Sequence, residues 1–133
     1  MTRFAIDDLT ALRLVQEDAP IAEGHQLVAP NVLRSQVLSL LYRAVRRGEL
    51  SRDEARVQLD RLSSLRVRLL GDRVSRAVAW EIADQLDWDD TRVAEFVAVA
   101  KLQADAFVTL DPELARRVEG VVAVVPFEAL RAG

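Results

Sequence analysis

The stretch AFVTLDPELARRVEGVVAVV, residues 106–125, decides the fold of this chain. It holds two short apolar runs, AFVTL at 106–110 and VVAVV at 121–125, and the segment between them starts with Asp111-Pro112 and stops at Gly120. The two runs predict buried strands, and Asp followed by Pro is typical of a helix start. Apolar strands that alternate with helices indicate a parallel sheet with both faces covered.

The rest of the chain continues this alternation. Further strands are predicted at 3–6 (RFAI) and 65–70 (LRVRLL). Pro30 is expected to open a helix that Gly48 ends, and Ser51 with Glu54 forms a capping box for the next one. The other predicted helices cover 9–16, 73–86 and 91–103. We therefore expect an α/β protein, a three-layer α/β/α fold with a mainly parallel central sheet, as one domain over residues 1–133.

Composition excludes several classes of site and partner. The chain has no Cys and one His, which excludes disulfides, thiolate metal sites and multi-histidine metal sites. Its 18 basic and 21 acidic residues give a net charge of −3, which argues against binding duplex DNA by charge alone. No apolar run is long enough for a membrane span, and the opening MTRFAIDD reaches acidic residues too early for a signal peptide. We expect a cytoplasmic protein with no membrane association.

Two carboxylates follow predicted strands directly. Asp7 comes after RFAI, and Asp111 comes after AFVTL. Sites in open α/β sheets form beyond the carboxyl ends of the parallel strands. Two acids at that edge would hold one hard cation such as Mg²⁺, which takes one or two carboxylates with waters and substrate phosphates. The alternative interpretation is that each acid only caps the helix that follows it.

Three segments resemble a PIN domain, and most closely the VapC-type toxins of bacterial toxin–antitoxin pairs. The segments are FAIDDLTALRLV, HQLVAPNVLRSQVLSLLYRAVRRGELS and TRVAEFVAVAKLQADAFVTLDPEL. The resemblance covers nearly the whole chain. It implies a ribonuclease that depends on Mg²⁺ or Mn²⁺, hydrolyses RNA phosphodiester bonds, forms a homodimer and is inhibited by a cognate antitoxin protein.

The resemblance implies a site of four acids, of which this chain keeps two. Asp7 and Asp111 match the first acid and the acid of the TxD motif. The expected Glu falls on Gln36 and another expected Asp falls on Val93, so metal binding and cleavage are expected to be weakened. Asp90 lies one helical turn before Val93 and would be a substitute ligand, unless it only caps its helix.

Other residues on these elements have candidate roles. Thr109 would orient a metal-bound water, although a β-branched residue in a strand needs no such role. Arg43 and Arg47 share a helical stripe with Gln36, and their guanidinium groups would meet RNA phosphates. The alternative interpretation of these arginines is a solvated cationic end of the helix.

Two other functions stay open at this point. The first is a catalytically inactive PIN fold that binds RNA or protein. The second is a phosphorelay receiver domain, with Asp7-Asp8 as the acidic pair and Asp72 as the phosphoacceptor. The receiver interpretation is disfavoured because Val125-Pro126 stands where a Lys-Pro pair is required. For the antitoxin, the apolar faces of the helices at 30–47 and 51–64 would form the groove.

Overall fold

Strands from both ends of the sequence meet in one sheet. The structure is a computed structural model that describes residues 1–18 and 20–133. Its elements are β1 (Thr2–Ile6), α1 (Asp8–Glu17), β2 (His25–Pro30), α2 (Leu33–Arg46), α3 (Arg52–Ser64), β3 (Val67–Leu70), α4 (Arg73–Gln85), α5 (Arg92–Gln103), β4 (Ala106–Val108), α6 (Pro112–Val118), β5 (Val124–Val125) and a 3₁₀ turn (Phe127–Leu130).

The sheet has the strand order β3-β2-β1-β4-β5, and every neighbouring pair is parallel. The predicted α/β class with a parallel central sheet in a three-layer α/β/α arrangement is confirmed. Chain order runs outward from β1 to β2 and β3, and then returns to place β4 on the other side of β1. The gap between β1 and β4 is therefore the topological switch point, where open α/β sheets place their ligand crevice.

The apolar strands supply the centre of the core. Ile6, Leu27, Phe107 and Val108 are fully buried. Helix α5 packs on β1, β2 and β4 and also on α4, whereas α1, α2 and α3 pack on one another. Six residues of α5 are buried because the helix is covered by both the sheet and α4. Its sequence is accordingly apolar on most faces of the helix.

Several predicted boundaries are confirmed, and two are wrong. The capping box of Ser51 and Glu54 is formed, with both reciprocal hydrogen bonds at 3.0 Å. Pro30 does not open a helix but ends β2, because the strand continues in register with β3 up to the pair Pro30 and Leu70. The run at 121–125 is a strand only at Val124–Val125, since Val121 and Val122 bond back to Val118 in a turn.

Within the described ranges 1–18 and 20–133, no helix is both long enough and apolar enough to cross a membrane.

Candidate active site

The register of two strands brings the first candidate residues together. Ile6 is paired with Val108, so the next residue of each strand, Asp7 and Thr109, lies at the same level of the switch point. The Thr109 hydroxyl donates a hydrogen bond of 2.5 Å to Oδ2 of Asp7. Two residues 102 positions apart in sequence are therefore in direct contact at the carboxyl edge of the sheet.

Asp7 accepts two hydrogen bonds through its side chain and is only 6% exposed. Its Oδ1 accepts the backbone N–H of Thr10 at 3.0 Å, which makes Asp7 the N-cap of α1. The Thr10 hydroxyl donates in turn to the carbonyl oxygen of Val108 at 3.1 Å, which fixes α1 to β4. The capping interpretation of Asp7 is thus correct, and it holds the carboxylate in one orientation at the site.

Burial disfavours the charged form of Asp7. The pKa of the Asp7 carboxyl is raised from its ordinary value of 3.8, chiefly by loss of hydration. Hydrogen bonds from Thr109 and Thr10 lower this pKa, and the neighbouring charge of Asp8 raises it further, but burial outweighs them. A carboxylate kept dry in this way gains more than an exposed one from a cation placed beside it.

Asp111 is tied to Asp7 through Thr109. The backbone N–H of Asp111 donates to the Thr109 hydroxyl oxygen at 3.2 Å, and that hydroxyl donates to Asp7. The Asp111 side chain caps α6, where its Oδ1 accepts the N–H groups of Glu113 and Leu114 at 3.0 and 3.2 Å. Its second oxygen, Oδ2, takes part in neither capping bond.

A groove of about 570 Å³ opens over this edge. All four positions that were assigned to the site from sequence line it: Asp7, Gln36, Val93 and Asp111. They come from β1's end, α2, α5 and the start of α6. Four separate elements therefore converge on one concave surface, with two carboxylates, one amide and one apolar side chain at the matched positions.

Asp90 lines the same groove but already has a cationic partner. Its Oδ2 accepts from the Arg92 guanidinium at 2.9 Å, and its Oδ1 accepts the Arg92 backbone N–H at 3.1 Å. The Arg92 side chain lowers the pKa of Asp90. A cation would have to displace or share this exposed pair, so Asp90 remains a candidate ligand with a competing role. The N-cap position of α5 is Thr91, whose side chain makes no capping hydrogen bond.

The two predicted RNA-binding arginines lie in different places. Arg43 lines the groove, whereas Arg47 is the C-cap of α2 and is not part of the groove lining. Sequence reasoning missed two contributors. Arg92 adds a second guanidinium to the groove, and Thr10 anchors Asp7. The role of Thr10 could have been predicted, because Asp7 and Thr10 have the spacing of an N-cap residue and its N3 residue.

The oxygen atoms that the groove offers are of the type that a hard cation binds. In the described part of the chain, no group of three or more His, Cys, Asp or Glu side chains is arranged to hold a metal ion. Two carboxylates and the Gln36 carbonyl oxygen are what the groove offers, and Mg²⁺ typically binds through one or two carboxylates together with waters and substrate phosphates. Asp7, Asp111 and Gln36 are the groove residues whose oxygens could hold such a cation.

These features define an α/β protein with an acidic, arginine-flanked groove at the switch point of its sheet. No protein-family model matches the chain, and no curated protein matches it.

Proposed function

We propose that this protein is a PIN-type, VapC-like ribonuclease that hydrolyses RNA phosphodiester bonds with Mg²⁺ or Mn²⁺, at a rate reduced by the loss of two acids. The observation that carries the proposal is the convergence of Asp7, Gln36, Val93 and Asp111 on one groove. These positions were matched to the four-acid motif from sequence alone, and they come from four elements far apart in the chain. The parallel strands bring Asp7 and Asp111 to one edge, and Gln36 and Val93 join them there from α2 and α5.

Each residue of the groove has a proposed role in binding the cation or the RNA. Asp7 and Asp111 would hold the cation, with Gln36 as a neutral oxygen donor, and a bound cation would orient and acidify water and stabilise charge on phosphoryl oxygens. Thr109 keeps the Asp7 carboxylate in position through its 2.5 Å hydrogen bond. The guanidinium groups of Arg43 and Arg92 supply positive charge to the same groove for RNA phosphates.

We also propose that a cognate antitoxin protein inhibits the enzyme, and that the active form is a homodimer in the cytoplasm. A groove of about 520 Å³ between α2 and α3 supports a protein partner. Leu38 and Tyr42, which line it, are 51% and 63% exposed. Exposed apolar side chains rimmed by polar ones mark protein-binding surfaces, and a helix of the antitoxin would bury them.

A cleavage assay on purified protein tests the nuclease. We expect slow Mn²⁺-dependent cutting of a labelled RNA that stops on addition of EDTA. Asp7→Asn and Asp111→Asn should each lower the rate by at least about a hundredfold, since each removes a charged ligand of the cation. Asp84→Asn is the matched control, because Asp84 is exposed on α4 and lies outside the groove.

Cutting that survives in Asp7→Asn would identify a contaminating nuclease and defeat the proposal. Absence of cutting at every Mn²⁺ concentration, combined with RNA binding by the wild type, would instead favour the inactive PIN fold that binds RNA.

Arg43 and Arg47 give a paired prediction for RNA binding. We expect Arg43→Ala to weaken binding of a short RNA in EDTA by about five- to tenfold and to reduce its salt dependence, because Arg43 lines the groove. Arg47→Ala makes the same chemical change on the same helix outside the groove and should have less than about a twofold effect. Equal losses in filter-binding or anisotropy titrations would show that RNA follows the cationic helix end instead.

A further inference from the structure

A second pocket opens directly beside the groove. Its volume is about 310 Å³, and it shares four lining residues with the groove: Asp90, Val93, Asp111 and Leu114. A nucleotide chain whose phosphodiester lies in the groove would therefore have an adjacent recess within reach of the neighbouring base. This inference rests on the proposed function, because it assigns a substrate feature to the same site.

One wall of the pocket is suited to a planar aromatic ligand. Trp88 and Arg117 both line it, and the central carbon of the Arg117 guanidinium lies 5.6 Å from the centroid of the Trp88 ring. Arg117 is fixed there, because it donates a 2.6 Å hydrogen bond to the carbonyl oxygen of Leu86. Indole rings and guanidinium planes are the surfaces on which proteins stack unpaired RNA bases.

The acidic residues of the pocket select against phosphate. Asp89, Asp90, Asp111 and Glu113 line the pocket against the single guanidinium of Arg117. In the described ranges, Asp89 and Glu113 enter none of the ion pairs. Free carboxylates repel phosphate and accept hydrogen bonds from the N–H groups of bases.

Guanine fits these acceptors better than uracil does. Its Watson–Crick edge presents two adjacent donors, N1–H and the N2 amino group, which match the two oxygens of one carboxylate. Uracil presents a single N3–H between two carbonyl oxygens, and those oxygens would face the carboxylates unfavourably. We propose that the pocket lined by Trp88, Arg117 and Glu113 binds a guanine base next to the phosphodiester held in the groove.

The two tryptophans of the chain allow a direct test. Trp80 is 67% exposed on α4 and lies outside this pocket, so Trp80→Phe leaves Trp88 as the only indole. We expect the dinucleotide GpG, titrated in EDTA, to quench Trp88 fluorescence saturably and at least about tenfold more tightly than UpU. Trp88→Phe, which leaves only Trp80, corrects for nucleotide absorbance and should give no saturable change.

A second variant tests selectivity. Glu113→Gln should reduce the preference for GpG over UpU to less than about threefold, whereas Glu81→Gln on the exposed side of α4 should preserve it. Equal affinity for the two dinucleotides in wild type, or no saturable quenching of Trp88, would overturn the proposal. The titration contains no free metal, so its failure leaves cleavage unaffected, and absence of cleavage leaves base binding measurable.

Discussion

The double variant Gln36→Glu, Val93→Asp is expected to bind Mn²⁺ at least about tenfold more tightly than wild type and to cut RNA at least about tenfold faster. Both side chains line the groove with Asp7 and Asp111. Two added carboxylates raise the negative charge offered to the cation from two to four. Next to a divalent cation in this partly hydrated groove, the two added charges together would contribute at least the roughly 1.4 kcal/mol that a tenfold change requires.

The Val93 position accepts the new carboxylate without cost to the helix. Val93 is 42% exposed and is the second residue of α5, where a negative charge interacts favourably with the helix dipole. Val93 is not part of the hydrophobic core formed by residues 1–18 and 20–133. In EDTA the four carboxylates repel one another, so the variant should unfold at a lower temperature than wild type, and Mn²⁺ should restore more than this loss.

Val74→Asp is the matched control for the variant. Val74 is the second residue of α4, is 58% exposed and lies away from the groove. It should change neither Mn²⁺ binding in calorimetry nor the cleavage rate. If the double variant folds and gains no Mn²⁺ affinity over this control, the four positions do not form a metal site and the PIN assignment fails.

Much of the fold was predictable from the sequence because its strongest signals are local. Short apolar runs, the Ser51 capping box and Asp111-Pro112 each predicted an element that the structure contains. Pro30 was assigned to a helix because proline is well suited to a first helical turn, whereas here it is the last residue of a strand. Only the pairing of Pro30 with Leu70 on β3 shows that Pro30 belongs to a strand. A local sequence pattern does not predict which distant strands pair.

The candidate site was likewise only partly predictable from the sequence. Positions at strand ends were predictable, since parallel strands bring their carboxyl ends to one edge. The contact of Thr109 with Asp7 depends on the register of Ile6 with Val108, which no local feature determines. The ion pair between Asp90 and Arg92 was also missed. Helical geometry predicts contacts between side chains three or four residues apart, and these two are only two residues apart.

Asp7→Asn should stabilise the fold at neutral pH in EDTA. The folded pKa of Asp7 lies above its ordinary value of 3.8 because the side chain is buried, so the folded state favours the protonated form. The stabilising contribution of that proton is present below pH 3.8 and is lost as pH rises through the folded pKa. The variant avoids this loss, and we expect its Tm to exceed that of wild type by a few degrees at pH 7, where about 1 kcal/mol corresponds to roughly 4 °C.

The pH dependence separates this explanation from a general effect of removing a charge. Asparagine still accepts from the Thr10 N–H as an N-cap, so the cap itself is kept. The Tm advantage should therefore shrink as the pH falls toward 3.5, while Asp84→Asn, an exposed change of the same kind, should show no such trend. A variant less stable than wild type at pH 7 would mean that the two hydrogen bonds to ionised Asp7 outweigh its burial. A more stable variant that no longer cuts RNA would identify Asp7 as a residue kept charged for the site at the expense of the fold.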